Sequence, residues 1–236
     1  MYKYLVTCSE LPNAELTVSE LSKDKRSLKV IAKAKDQFTD DSQSGYSCLA
    51  QNPLNNERFA SSASFIEESE QGISLWELDP ESWKNGQADY SIQTFAGKRQ
   101  RTEIARIAPV AYLKCQSGVQ AMSWASDSIL VAGTTDHQLK VFDVEKEQVQ
   151  ASIFTNHKVA MAMDSNFAND GELVLCGHED GVVRLYDLKQ SQQKQTKAFE
   201  AHTRGVTQVK FNSRAEHVFI SSGLDGRVRM WDLRNE

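Results

Sequence analysis

The sequence predicts an all-β protein, an incomplete β-propeller of about five blades or part-blades. A four-residue ending, in which an aromatic and an acidic residue stand between two apolar residues, closes four segments of the chain. The last residues of these endings are Leu78, Val144, Leu188 and Leu233, so the final three lie 44 and 45 positions apart. That spacing is typical of one four-stranded propeller blade. A weaker ending at Val18–Leu21 extends the pattern towards the amino terminus.

Each of the last three repeats contains the same predicted elements. The first strands are predicted at Val119–Trp124, Val159–Met163 and Val206–Phe211. The second strands are predicted at Ser128–Gly133, Glu172–Gly177 and Val218–Gly223. Outer strands are predicted at Ala151–Thr155 and Thr196–Phe199. The turns between second and third strands are Asp136-His137, Asp180-Gly181 and Asp225-Gly226. Asp-Gly favours a hairpin because glycine adopts positive φ without steric cost. Near the amino terminus, Lys3–Cys8 and Glu15–Leu21 are predicted to be a second and a third strand.

Composition excludes several classes of protein. The chain of 236 residues carries a net charge of −5, which argues against a general nucleic-acid coat, although a local basic patch stays open. No apolar run approaches the roughly 18 residues that a membrane span needs. Cys8, Cys48, Cys115 and Cys176 lie far apart and are predicted to be buried, reduced thiols.

An insertion separates two of the repeats. Leu78 and Val144 lie 66 positions apart, and the additional residues fall in 79–101. Polar composition predicts a surface loop there, within a single domain that spans residues 1–236. The loop ends in a basic cluster of Lys98, Arg99 and Arg101. Either this segment is a solvated linker, or the cluster is a patch that contacts phosphates or serves nuclear import. Trp83, in the same loop, is a candidate partner anchor.

Motifs for catalysis are missing from the sequence. It contains no G-x-x-x-x-G-K-[ST], no H-E-x-x-H and no G-x-S-x-G. We therefore predict a protein that is not an enzyme, with no catalytic residue, no metal site, no cofactor and no small-molecule substrate. Trp76, Trp124 and Trp231 occupy strand positions and are predicted to lie in the core.

The repeats resemble those of the WD-repeat family. In that family a buried His, Ser or Thr, Asp and Trp form a hydrogen-bonded set that locks three strands of a blade, and the last repeat has His202, Ser221, Asp225 and Trp231 at these positions. The preceding repeat keeps Asp180, with His157 at the same distance of 23 residues that separates His202 from Asp225. The repeat of Asp136 departs from the pattern at Gln116-Ser117 and Ala132, so we expect its stability to depend more on packing.

The number of repeats is smaller than a closed ring needs. A seven-bladed ring takes roughly 300 residues at this period, and the predicted strands begin inside one blade and end after a third strand. We expect the sequence to be a section of a longer protein with about five partly complete blades.

The chain also resembles one family more closely, the nucleolar WD-repeat subunit of the PeBoW complex (the family of WD repeat-containing protein twelve). The resemblance covers Lys98–Glu236 and, more weakly, Lys3–Leu78. It depends on the order of Lys98–Glu103, Asp136-His137, Val141–Glu145, Asn156–Val159 and Trp231–Arg234. It implies a non-enzymatic scaffold that matures the large ribosomal subunit and its ribosomal RNA in the nucleolus and nucleoplasm. The implied partners are the block-of-proliferation protein, on whose propeller the chain docks, pescadillo and the pre-60S particle. Ribosomal RNA is a further candidate partner, through Lys98, Arg99 and Arg101. The resemblance implies no binding to a membrane.

A different function stays open. Trp231-Asp232-Leu233-Arg234 fits the W-D-x-R motif by which substrate receptors of cullin-type ubiquitin ligases bind their adaptor. Another kind of WD-repeat scaffold is the third alternative.

Overall fold

The computed structural model describes residues 4–8, 15–21, 28–34, 45–64, 72–78, 88–95, 98–155, 158–166, 173–189 and 195–235. These residues form 20 β-strands in five sheets, which we name A to E in chain order. No helix that is long and apolar enough to cross a membrane occurs in these ranges.

Four of the sheets follow a simple antiparallel order. Sheet B contains β4 (Gly45–Gln51), β5 (Arg58–Ser64), β6 (Gly72–Glu77) and β9 (Ala111–Lys114). Sheet C contains β10 (Val119–Trp124), β11 (Ile129–Thr134), β12 (Gln138–Asp143) and β13 (Gln148–Phe154). Sheet D contains β14 (Ala160–Asn166), β15 (Leu173–His178), β16 (Val182–Asp187) and β17 (Gln195–Glu200). In the described residues sheet E has three strands, β18 (Val206–Phe211), β19 (Val218–Gly223) and β20 (Val228–Asp232).

Sheet A has a different composition. It contains β1 (Tyr4–Cys8), β2 (Leu16–Leu21) and β3 (Leu28–Ala34), followed by β8 (Lys98–Arg106) and β7 (Ala88–Phe95). The last two strands come from the insertion after β6. Two strands that are distant in sequence are therefore added to the outer edge of sheet A.

The core consists of four apolar layers, each between two neighbouring sheets. One cluster joins sheets A and B around Tyr46 and Trp76, and another joins B and C around Trp124. Similar clusters join C to D and D to E. Side chains that alternate between the two faces of a strand make this arrangement possible. Middle strands such as β11, β12 and β15 have buried residues at consecutive positions and therefore on both faces.

Side chains also connect the inner strands. The Trp124 indole Nε1–H donates to the Ala50 carbonyl at 3.0 Å, which joins β10 to β4. Ser165 and Ser123 hydroxyls lie 3.0 Å apart, joining β14 to β10. These bonds fix the sheets around one concave side of the molecule.

The predicted fold class is confirmed: the structure is an incomplete β-propeller of five sheets. The predicted strands Val119–Trp124, Val206–Phe211 and Val218–Gly223 have the bounds of β10, β18 and β19. The two strands predicted near the amino terminus correspond to β1 and β2.

The prediction of a loop at 79–101 is wrong for part of that range. Residues 88–95 and 98–101 belong to the hairpin of β7 and β8, and β8 runs parallel to β3 with Ala105 opposite Ala32. Tyr90, Ile92 and Thr94 have high strand propensity, and β7 and β8 pair with each other locally, from Ala88–Ala105 to Phe95–Lys98. The attachment of β8 to sheet A, in contrast, depends on the edge of β3, about 70 residues earlier in the chain. Composition alone does not reveal such an edge.

The cysteines occur as thiols. Cys8, Cys48, Cys115 and Cys176 form no disulfide with one another. The predicted burial holds for Cys115 and Cys176, whereas Cys8 and Cys48 are half-buried. Burial raises the pKa of Cys48 to about 12, so this thiol stays protonated at neutral pH.

Candidate functional site

The four predicted residues of the last repeat meet in sheet E. His202 lies in the segment before β18, Ser221 is in β19, Trp231 is in β20, and Asp225 begins the turn between β19 and β20. The Trp231 Nε1–H donates to the Ser221 hydroxyl at 2.9 Å. Ser221 Oγ and His202 Nε2 lie 2.8 Å apart, and His202 Nδ1 lies 2.9 Å from Asp225 Oδ1. Because a carboxylate only accepts, His202 Nδ1–H donates to Asp225. In the neutral imidazole Nε2 then accepts from the Ser221 hydroxyl, so that the bonds run from Trp231 through Ser221 and His202 to Asp225.

Electrostatics favour the ionised form of Asp225. Burial by itself raises the pKa of this carboxyl, but the hydrogen bond from His202 and those from the backbone N–H groups of Arg227 and Thr203 lower it to about 2. The side chains of His202 and Asp225 are 0% and 6% exposed. Asp225 is therefore a charged acceptor at physiological pH that fixes both the turn and the histidine.

Sheet C uses a different set around its turn aspartate. Asp136 accepts a hydrogen bond from the Thr134 hydroxyl and lies 3.5 Å from the Lys140 ammonium. Lys140 Nζ donates to the Cys115 carbonyl at 2.5 Å and to the Ser117 hydroxyl at 2.9 Å. Partial burial raises the pKa of Asp136, whereas the hydrogen bonds from Thr134 and Ser117 and the charge of Lys140 lower it below its usual value. The expectation that the stability of this sheet depends more on packing overlooked Lys140.

Sheet D pairs its turn aspartate with an arginine. The Arg184 guanidinium donates to both carboxylate oxygens of Asp180, at 3.1 and 2.7 Å. His157, the predicted partner of Asp180, lies outside the described residues. The histidine that the structure places here is His178, which is fully buried and whose ring nitrogens have no hydrogen-bond partner among the described residues. Burial, followed by the charge of Arg184, lowers the pKa of His178 to about 4.

Sheet B contains a Trp–Ser pair like that of sheet E. The Trp76 Nε1–H donates to the buried Ser61 hydroxyl at 2.8 Å, and Phe59 stacks on the indole with ring centroids 5.8 Å apart. Ser61 occupies the position in β5 that Ser221 occupies in β19, two residues after a buried phenylalanine. The sequence signal is Phe-x-Ser in the second strand followed by a tryptophan in the third strand, and the sequence analysis did not use it.

The concave side of the molecule offers a second candidate surface. It encloses a space of about 660 Å³ lined by the four inner strands β4, β10, β14 and β18. Asp164 of β14 accepts from the Phe211 backbone N–H at 2.7 Å and from Lys210 Nζ at 2.5 Å, so its charge is already compensated by sheet E. Among the described residues, no group of three or more His, Cys, Asp or Glu side chains has the arrangement of a metal site.

The other residues that the sequence predicts for partner or RNA contact do not come together in one site. Lys98, Arg99 and Arg101 lie on β8, opposite Phe95, Thr94 and Ile92 of β7. Trp83 lies outside the described residues. Arg234 is at the surface and donates from Nε and Nη2 to the two carboxylate oxygens of Asp232, at 2.9 and 2.6 Å.

Comparison with known proteins identifies the repeats. The family described as WD domain, G-beta repeat, matches residues 108–143, 148–187 and 193–232. These three segments of the chain are WD repeats. The three matched WD repeats end at the last residues of β12, β16 and β20, so the repeat unit ends with the third strand of a sheet.

Among WD-repeat proteins the chain is similar to several insect proteins named ribosome biogenesis protein WDR12 homolog. The protein from Aedes aegypti is 31% identical over 170 residues, which are 69% of this chain and 37% of the relative. The protein from Culex quinquefasciatus is 29% identical over 171 residues, again 69% of this chain and 37% of the relative. The protein from Drosophila persimilis is 27% identical over 139 residues, or 58% and 32%. The chain spans about a third of the length of these curated relatives.

The matched WD repeats share a residue that the sequence analysis missed. Four residues after the turn aspartate, each has a basic side chain, namely Lys140, Arg184 or Arg229. Each lies within 4.0 Å of its own aspartate. The signal Asp-x-x-x-Lys/Arg was present in the sequence, but basic residues are ordinarily expected to face solvent.

Proposed function

We propose that this chain is a protein-interaction scaffold in the maturation of the large ribosomal subunit, in the nucleolus and nucleoplasm. The observation that carries the proposal is the similarity to WDR12 homologues, whose name assigns them to ribosome biogenesis. A stack of rigid sheets suits a scaffold, because its loops and outer edges present several independent contact surfaces. The finer part of the proposal is that the chain docks on the propeller of the block-of-proliferation protein, with pescadillo as third member of the complex.

Co-purification tests this role. The tagged chain is expressed in cells and its complexes are separated on a sucrose gradient. The expected result is migration with large-subunit precursors, with the block-of-proliferation protein, pescadillo and ribosomal RNA in the same fractions. A chain that stays at the top of the gradient, or that migrates only with small-subunit precursors, contradicts the proposal.

The basic residues of β8 are the proposed contact with ribosomal RNA. If Lys98, Arg99 and Arg101 bind phosphates, replacing all three with Ala weakens RNA binding and lowers its dependence on salt. Each lost phosphate contact reduces the slope of log K against log salt concentration by about 0.7 to 0.9, so the expected total is roughly 2 to 3. Arg204, Arg214 and Arg227 are exposed in sheet E, and their triple Ala variant is the control that removes the same charge elsewhere. Equal losses for the two variants contradict a specific patch.

The alternative function, a cullin-type ligase receptor, depends on Arg234. Its side chain is 67% exposed, which keeps this alternative open, but its guanidinium is bound to Asp232 within the chain. Arg234→Ala is expected to abolish binding of a cullin adaptor and to leave ribosomal precursors unaffected. Recovery of a cullin adaptor by the unaltered chain, in place of ribosomal precursors, favours the alternative.

A further inference from the structure

The hairpin of β7 and β8 is anchored to sheet A at one end. Residues 105–106 of β8 lie opposite residues 32–33 of β3, and the Ile107 backbone N–H donates to the Lys33 carbonyl at 3.1 Å. Ile104 and Ile107 are both buried. An isolated two-stranded hairpin is at best marginally stable in water, so these contacts attach the hairpin to the sheet and stabilise it.

The opposite end of the hairpin lies away from this anchor. The ladder between β7 and β8 continues from Ile104 to the pair Phe95–Lys98, whereas in the described residues the ladder between β3 and β8 is confined to residues 105–106 of β8. From Ile104 to Lys98 the strand advances roughly 20 Å, at about 3.4 Å per residue. We name residues 92–95 and 98–101 the distal half of the hairpin. Within the described sheets its two strands pair with each other alone, so it is a two-stranded ribbon.

The distal half concentrates positive charge. It contains three basic residues and no acidic residue, in a chain whose net charge is −5. Acidic residues across a ladder compensate basic ones, but the ladder partners of these three are Phe, Thr and Ile. The three basic residues are Lys98, Arg99 and Arg101. Basic residues without acidic partners in their own ladder suit an anionic ligand from outside the chain, and closely spaced phosphates are such a ligand.

An aromatic residue at the end of the ribbon favours unpaired RNA as the source of those phosphates. Phe95 lies opposite Lys98 in the last pair of the ladder, so an aromatic residue and a cation occur together there. Proteins bind single strands by this combination, in which bases stack on aromatic rings while Lys and Arg hold the backbone. A regular RNA duplex has no unstacked base, and its major groove is too deep and narrow for side chains to read.

We propose that the distal half of the hairpin binds a single-stranded segment of RNA. A base stacks on Phe95, and Lys98, Arg99 and Arg101 hold the phosphates on either side of it. This binding mode rests on the RNA contact under "Proposed function" and adds the class of RNA and the residue that stacks.

Fluorescence anisotropy with defined RNA probes tests the binding mode. The chain is titrated against a labelled oligouridine of about 12 nucleotides and against an RNA duplex of about the same length. The expected result is that the oligouridine binds about tenfold or more tightly than the duplex, because only the single strand offers bases for stacking. Equal or tighter binding of the duplex overturns the proposal.

Replacing the aromatic residue tests the stacking contact. Phe95→Leu keeps an apolar residue in β7 and is expected to weaken oligouridine binding about 5- to 100-fold, the range that loss of one stacked base produces. Phe95→Tyr keeps an aromatic face and is expected to bind like the unaltered chain. The matched control is Phe154→Leu, which removes an aromatic residue that is 53% exposed on β13 and is expected to change nothing. If Phe95→Tyr loses as much as Phe95→Leu, or if Phe95→Leu loses nothing, stacking on Phe95 is excluded.

The dependence on salt separates the aromatic contact from the charged ones. Replacing Lys98, Arg99 and Arg101 together with Ala is expected to lower the slope of log K against log salt concentration by about 2 for a single strand. Phe95→Leu is expected to leave that slope unchanged, since it removes no charge. A slope that falls equally in both variants overturns the division of roles.

Two further outcomes distinguish this proposal from its neighbours. If polyglutamate displaces the oligouridine at equal concentration of charge, the distal half is a surface for acidic proteins, and the proposal is wrong. A chain that migrates with large-subunit precursors but does not bind oligouridine also overturns the proposal, and it leaves the scaffold role intact. Oligouridine binding that depends on Phe95, in a chain that is absent from those precursors, supports the binding mode and contradicts the ribosomal role.

Discussion

Sheets C and E hold the same turn aspartate with different chemistry. In sheet E a histidine from the segment before β18 reaches Asp225 and hydrogen-bonds Ser221, whose hydroxyl also accepts from the Trp231 indole. In sheet C the donor is Lys140 of the third strand, and it reaches back to Cys115 and Ser117 in the segment before β10. Both sets therefore tie the incoming segment to the third strand. The repeat requires this connection and tolerates a change in the residues that make it.

The two sets differ in how completely they are buried. The ring of His202 and the carboxylate of Asp225 are almost inaccessible, whereas Asp136 is 38% exposed. A group that loses its partner next to solvent recovers hydration, whereas a buried group does not. The cost of breaking each set should therefore be unequal, with the larger cost in sheet E.

Breaking the two sets measures this difference directly. His202→Ala removes two hydrogen bonds and leaves a cavity and a buried carboxylate, so we expect the free energy of unfolding to fall by about 4 kcal/mol. Lys140→Met keeps the aliphatic stem and leaves Asp136 near water, with an expected loss of about 1 to 2 kcal/mol. Urea denaturation followed by tryptophan fluorescence measures both. Equal losses would mean that burial does not distinguish the two sheets.

The turns of sheets D and E offer a second comparison. Gly181 and Gly226 both adopt positive φ, 85° and 73°. A Cβ on Gly181 would collide with the carbonyl oxygen of His202 and lie 2.9 Å from its carbonyl carbon, whereas a Cβ on Gly226 would meet nothing within 4 Å.

The matching alanine variants separate backbone strain from collision. Gly226→Ala is expected to cost about 1 kcal/mol, since an L-residue in the left-handed region loses about that much. Gly181→Ala adds the collision and is expected to cost about 3 kcal/mol. Differential scanning calorimetry gives both values. A similar cost for both variants would mean that the segment around His202 moves aside.

Much of this fold was accessible from sequence, and the reasons differ between regions. The strands of sheets C to E were predictable because alternation and turn residues are local signals. The hairpin of β7 and β8 was missed because the polar composition of 79–101 favours a loop. Its attachment to sheet A was not predictable because the edge of β3 is distant in sequence. In sheet E the four residues of the set were identified from the resemblance of this repeat to the WD-repeat family. Lys140 was missed because a lysine that is 8% exposed contradicts the ordinary expectation for its residue type.

His178 of sheet D predicts that the stability of the chain depends on pH, whereas the residues at the same position in sheets C and E predict no such dependence. His178 follows Gly177 as Thr134 follows Gly133 and Leu224 follows Gly223, and only histidine titrates near neutral pH. It faces Arg184 and Asp180 and lies beside the backbone of Lys158 and Val159. With a pKa of about 4 in the folded chain, it stays neutral where the unfolded chain already binds a proton.

Stability is therefore expected to fall as the pH decreases from about 6.5, the ordinary pKa of histidine, to 4. At pH 4 the free energy of unfolding is expected to be about 3 kcal/mol lower because of His178. His178→Thr, which installs the residue of sheet C, is expected to remove this part of the pH dependence. Urea denaturation from pH 7 to pH 4 measures it. An identical pH profile in the variant would show that His178 is not the group that takes up the proton.

The smallest expected effect concerns the turn of sheet C, where His137 occupies the position of Gly181 and Gly226. Its φ of 62° lies in the left-handed region, in which a non-glycine residue is strained. His137→Gly relieves that strain but gives the unfolded chain more freedom, so we expect a net gain of about 0.5 kcal/mol. Glu147 has a φ of 53° and an exposed side chain, and Glu147→Gly is the control for the backbone contribution alone. Thermal unfolding measures the stability of both variants. If Glu147→Gly is stabilised and His137→Gly is destabilised, the contacts of the imidazole contribute more stability than the backbone strain removes. In that case the turns of sheets C and E would differ in side-chain contacts as well as in backbone conformation.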